Sequence, residues 1–288
     1  MANKCLIIST YFGERRAYPH NEQGTVEYFN KYLSFLINLD SGTDSDIIIA
    51  NHEHSNNKEE LKTSLEYLYN LNNTKTKNGF LKTISRPWEN GIGGSHKSYD
   101  HVFNLFKNQY DYWFFSEDDA PITQEGYFSN TIKQLDSDEQ LAFICTFSHY
   151  FGGLTLTGSR YFLTKEDYNN LETFKLKAFI PDKNGTLQMV RNCYDIHCHG
   201  GLGVTHTKYL QKVVDNYGHL PYHKSEGENF SYVKFQDDGE IRFTNVLAEL
   251  GFVLQMYDGE CIQPHNNKPI IIEGDSKLKF VADNGKFL

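Results

Sequence analysis

Short apolar runs alternate with helix-periodic stretches through the first half of this chain, and that alternation restricts the fold to an α/β design. Lys4 to Ser9 and the aromatic run that begins at Tyr110 read as buried strands, since strands covered on both faces are largely apolar, and Asp46 to Ala50 and Phe80 to Ser85 read as two further strands. Between them, Val26, Phe29, Leu33, Leu36 and Ile37 share one helical face. Leu61, Leu65, Leu68 and Leu71 do the same within a helix over Lys58 to Leu71, and Gly93 to Lys97 opens a third helix whose inward face carries Tyr99, Val102, Phe103 and Phe106. The expectation is a mostly parallel central sheet flanked by helices, in a Rossmann-like arrangement.

The second half is less regular. Glu139 to Phe147 reads as a strand, Ile196 to Val204 as a Gly-rich approach to another, His206 to Tyr217 and Glu240 to Leu250 as helices, and Phe252 to Tyr257 as a strand. No Pro/Gly/Ser-rich linker and no internal repeat divides the 288 residues. One domain over residues 1–267 with a peripheral tail over 268–288 is therefore expected.

The formal charge of −9 argues against nucleic acid or an anionic membrane surface as the main partner, because both attract basic patches. No apolar stretch approaches the length of a membrane span, and the apolar start at Leu6 is too brief for a signal peptide. Five scattered cysteines, at positions 5, 145, 193, 198 and 261, are expected to be reduced thiols in a cytoplasmic protein. Cys193, His197, Cys198 and His199 have spacings that fit no common structural zinc site.

The aromatic run ends abruptly in Glu117-Asp118-Asp119, and Pro121 stops the strand pattern soon after. Ligands of open α/β sheets gather at the carboxyl ends of strands, so these acids stand where chemistry is usually done. Neighbouring carboxylates repel one another by roughly 4 kcal/mol per close pair at an effective dielectric near 20, which calls for a compensating cation. Oxygen ligands suit Mg²⁺ or Mn²⁺, with substrate phosphates completing the shell.

These acids, the Gly200-Gly201-Leu202-Gly203 loop, the Asp237-Asp238-Gly239-Glu240 run before a helix ending at Gly251, and the later His265 stand in an order that resembles the GT-A-fold glycosyltransferases, in particular the inverting, family-2-like members. Ser85 to Lys97 also resembles the Asn-Gly loop and helix start that precede the acidic motif there. Glu117 stands where the family's Asp-x-Asp motif has its first Asp. The resemblance spans roughly residues 4 to 265. It implies a metal-dependent transfer of a sugar from a nucleoside diphosphate sugar, UDP- or GDP-linked, to an acceptor hydroxyl on a glycan or other molecule. Inversion is the expected stereochemistry; a retaining enzyme and a catalytically silent sugar-binding protein of the same fold are the alternatives.

The resemblance also implies roles. Glu240 or Asp238 would be the base that takes the acceptor proton. Glu117, Asp119 and His265 would hold Mn²⁺ or Mg²⁺. Thr10, Tyr11, Phe12, Glu53, Lys97, Glu117 and Asp118 would bind the donor nucleotide, with rings at the end of the first strand stacking on the base and His96 near Lys97 reaching phosphate or ribose. Trp88, His149, Gly200 and Gly201 would border the sugar or the acceptor. A nucleotidyltransferase would carry a Gly-rich basic loop after the first strand, and Thr10 to Arg16 has an Arg pair without the glycines.

Overall fold

The computed structural model describes residues 3–12, 25–53, 58–87, 94–146, 179–181, 187–189, 198, 201–223, 239, 242–257, 271–273 and 277–279. Its first half follows the expected alternation: β1 (Lys4–Thr10), α1 (Val26–Leu36), β2 (Asp46–His52), α2 (Lys58–Leu71), β3 (Leu81–Arg86), α3 (Gly94–Phe106) and β4 (Tyr112–Glu117). Then come α4 (Tyr127–Leu135), β5 (Leu141–Cys145), the short strands β6 (Phe179–Pro181) and β7 (Leu187–Met189), β8 (Gly203–His206), α5 (Thr207–Tyr217), α6 (Arg242–Glu249) and β9 (Val253–Met256). The last two strands are β10 (Ile271–Glu273) and β11 (Lys277–Lys279), which pair with each other within the segment expected as a tail.

Seven strands form one sheet in the order β3-β2-β1-β4-β8-β5-β9. All pairings are parallel except those of β8, which runs antiparallel to both β4 and β5. The fold is therefore α/β and Rossmann-like, with a mostly parallel sheet. Strands β1, β2, β4 and β5 bury both faces, which is why their sequences lack the polar alternation of half-exposed strands, whereas the edge strand β3 is half-buried at its centre. Successive side chains point to opposite sides. Cys5 and Ile7 join a core with Tyr99 and Phe103 of α3, Leu210 of α5 and Phe243 of α6. Leu6 and Ile8 join a second core with Phe29 and Leu33 of α1, Leu68 of α2 and Phe128 of α4.

Two elements depart from the sequence reading for identifiable reasons. Helix α4 is not foreseen, because its N-cap is Gly126, which offers no side-chain oxygen. Strand β8 enters between β4 and β5, with Gly203 opposite both Phe115 and Cys145. A Cβ at Gly203 would lie 2.1 Å from the Ile144 carbonyl oxygen, so only glycine permits this approach.

The amino edge of the sheet is closed by Asp46, which accepts hydrogen bonds from the Lys82 ammonium (3.0 Å), the Tyr110 hydroxyl (2.7 Å) and the Phe80 amide (3.0 Å). At the opposite end of β5, Cys145 is disulfide-bonded to Cys198, with their Cα atoms 5.4 Å apart. This corrects the expectation of five reduced thiols; Cys5 is free and buried. Among the described residues no helix is long and apolar enough to cross a membrane.

Candidate functional site at the ends of β1 and β4

From β1 the chain builds outward through β2 to β3, then returns to lay β4 on the other side of β1. The strand order reverses between β1 and β4, so a crevice opens where the connections leave their carboxyl ends in opposite directions. Ser9 pairs with Glu117 at this point. The acidic run therefore lies at the topological switch point of the sheet.

Its three members have different surroundings. Asp118 is 4% exposed, its amide donates to the Ser9 carbonyl (3.2 Å), and its Oδ2 accepts a 2.6 Å hydrogen bond from Thr10 Oγ1, itself 2% exposed. Glu117 and Asp119 are half-buried. The Ala120 amide donates to the Glu117 carbonyl (3.1 Å) and closes the turn. Beneath it, the Tyr99 hydroxyl donates to the Ser116 carbonyl (3.0 Å). Burial first, and then the charges of Glu117, Asp119 and Asp118, push the Tyr99 phenol well above its ordinary range, so it remains a neutral donor.

The end of β2 adjoins this crevice. The Tyr11 ring stacks on His52 with centroids 5.0 Å apart and planes 16° apart. Phe12 turns instead into the α1-side core, edge-on to Phe29 (5.6 Å) and Tyr67 (6.2 Å). The Glu53 amide donates to the Arg86 carbonyl (2.9 Å). Arg86 in turn fixes the start of α3, donating through Nε to Ser98 Oγ (3.1 Å) and through Nη2 to the Gly94 carbonyl (2.8 Å). One turn into that helix, the Lys97 ammonium lies 5.1 Å from the centroid of the Tyr222 ring.

Gly201 has φ +65° and its amide donates to the Cys198 carbonyl (2.9 Å). A side chain there would be strained in the backbone and would put Cβ 2.7 Å from the Phe243 ring. His96 is buried and packs against Tyr99 and Phe243. Asp238, Glu240, His265, Trp88, His149 and Gly200 lie outside the described residues. Among the described residues, no three His, Cys, Asp or Glu side chains are grouped closely enough to hold a metal.

Several residues of this edge are missed by sequence reasoning. β2 runs two residues beyond its apolar core because Asn51 and His52 pair with Ser85 and Arg86. Asn51 donates to Ser85 Oγ (2.8 Å), while its Oδ1 and the Ser9 hydroxyl are buried without a hydrogen-bond partner among the described residues. The polar residues just after each apolar run carry that signal: strands that end together bring them to one edge.

Fold and site together define a class, a Rossmann-like α/β chain with an acidic run at its switch point. No family model matches the sequence, and no curated protein matches it. Among solved structures the chain is similar to S. aureus TarS 1–349, with 15% identity, coverage of 92% of this chain and a TM-score of 0.45. The matched region is 60% of that chain. It is also similar to the 4-diphosphocytidyl-2C-methyl-D-erythritol synthase of Anaerococcus prevotii DSM 20548, with 11% identity, coverage of 91% of this chain and 90% of the other, and a TM-score of 0.41.

Proposed function

We propose that the chain is a glycosyltransferase that moves a sugar from a UDP- or GDP-sugar to an acceptor hydroxyl with inversion. The observation that carries this reading is the setting of Glu117-Asp118-Asp119 at the switch point, with Asp118 drawn away to Thr10. Two half-buried carboxylates on one strand end fit Mg²⁺ or Mn²⁺, which commonly takes one or two protein carboxylates and completes its shell with substrate phosphates and water. Glu117 and Asp119 would hold the ion, with His265 as the further expected ligand. When bound, the ion neutralises the charge that gathers on the diphosphate leaving group.

The chain's own groups divide the remaining work. Thr10 and the Ala120 amide keep the acidic turn in one conformation, so its carboxylates need no reorganisation when a donor arrives. The Tyr11 ring, backed by His52, offers a flat face to a nucleobase, and the Ser9 hydroxyl and Asn51 Oδ1 are polar groups at the same edge. Glu240, or Asp238 in its place, would take the acceptor proton on a carboxylate oxygen opposite the leaving group.

Calorimetry with a panel of nucleoside diphosphates, with and without Mn²⁺, tests the reading on the wild type and on Asp119→Ala. One nucleotide should bind only with Mn²⁺, and Asp119→Ala should weaken that binding by about 100-fold or more, as expected when a charge-assisted contact is lost in a partly buried site. Absence of nucleotide binding by the wild type would sink the proposal, and sugar binding that survives Asp119→Ala would indicate a non-catalytic sugar-binding protein. The Cys145–Cys198 bond bears on the compartment, because a cytoplasmic setting would keep both residues reduced in intact cells. Alkylation before lysis reads this out, and a pair already bonded in cells would point to an oxidising compartment.

A further inference from the structure

We infer that His96 is a positioning residue that sets the spacing between the Gly201 turn and Gly239, and through them the relation of the acceptor-side segments to the acidic turn. What those segments do rests on the glycosyltransferase reading; how they are held does not. His96 lies in the first turn of α3 and is 3% exposed. Its ring meets Tyr99 edge-on at 5.6 Å and is tilted against Phe243 at 5.4 Å. The two remaining edges face glycines. A Cβ on Gly201 would lie 3.4 Å from Nε2, and a Cβ on Gly239 would lie 3.1 Å from Nδ1.

Glycine at 239 lets that backbone close on the rigid, planar ring, while at Gly201 the ring is in ordinary contact beside the nearer Phe243. The ring is coupled to the acids by a short path, because Tyr99 packs on Phe115 at 4.8 Å and donates to the carbonyl of Ser116, the residue before Glu117. One side chain thus joins the helix beneath the acidic turn to Gly201, an expected sugar-side residue, and to Gly239, the chain neighbour of Asp238 and Glu240. A displacement of about 1 Å between reacting groups is enough to cost two orders of magnitude in rate, so a spacer of this kind governs turnover more than donor affinity.

The test uses the full chain labelled with ¹⁵N-glycine and compares the wild type with His96→Phe and His96→Asn. Phe keeps an aromatic ring against Tyr99 and Phe243 but replaces both nitrogens and is larger. Asn reaches only the place of Nδ1. In His96→Phe, amide exchange at Gly201 and Gly239 should rise about tenfold or more by local opening, while Gly42 and Gly126 on the far face stay unchanged. In His96→Asn, Gly201 should loosen and Gly239 should keep its protection. With an active donor and acceptor pair, kcat should fall about 30-fold in His96→Phe with donor KM within about threefold.

Unchanged exchange at both glycines, a uniform rise at all four, or a donor KM that rises while kcat holds would each overturn the inference. Nucleotide titration of the same samples keeps the two proposals apart. A wild type that binds no nucleoside diphosphate removes the glycosyltransferase reading, while the glycine pattern still decides the role of His96.

Discussion

Thr10 and Asp118 are 108 positions apart and meet in a buried hydrogen bond of 2.6 Å. Replacing Thr10 with Val keeps the shape but removes the donor and leaves a buried carboxylate short of one partner. Urea unfolding should show a loss of about 1–3 kcal/mol, with Thr10→Ser recovering most of it. In sequence the three acids are equivalent apart from the alternation that turns neighbours to opposite sides. Which one is withdrawn depends on a hydroxyl from the other strand of the switch point, and that pairing is non-local. The candidate base and the His265 ligand rest on the resemblance, whereas the acidic turn was legible from residue chemistry alone: bulky strand formers that end in carboxylates.

Helix α5 begins at His206, whose Nδ1 accepts the Lys208 amide at 2.9 Å. Burial first, then the Lys208 charge, lower its proton affinity against the opposing pull of Asp111 and Asp136. The folded protein therefore binds fewer protons here than the unfolded chain. The stabilisation is fully present above the unfolded value of about 6.5 and is lost as pH falls through the lower folded value. Melting temperature should rise with pH across this window, and His206→Asn, which caps without titrating, should flatten that slope. Strand β8 gives a steric test: Gly203→Ala would drive Cβ into the Ile144 carbonyl and should cost about 3 kcal/mol in denaturant unfolding, as overpacking does. Helix α2 was legible residue for residue from its leucines, since periodicity is a local property. Helix α4 was not, because Gly126 leaves no capping signal, and although a strand near Val204 was legible, its place between β4 and β5 was not, because that is fixed by partners distant in the chain.

On the scale of the molecule, the sheet separates two polar centres. Asp46, Lys82 and Tyr110 satisfy one another at the amino edge, while the acidic turn stands at the carboxyl edge, so the first reads as a structural clasp and the second as a site. The parallel core could be read from sequence because successive strands joined by helices return to neighbouring positions. The order beyond β4 could not, since the stretch between β5 and β8 carries no periodicity that assigns it.

The Cys145–Cys198 bond ties the end of β5 to the far part of that stretch and joins residues 53 positions apart. Pulled by its two ends in an optical trap, the oxidised chain would extend as if that loop were missing. Its unfolded contour should be shorter by roughly 180 Å than after reduction, at about 3.4 Å per residue. Equal contour lengths before and after reduction would show that no such crosslink bears the load. The bond therefore gives the protein a second mechanical length, set by the thiol chemistry of its surroundings and not by force.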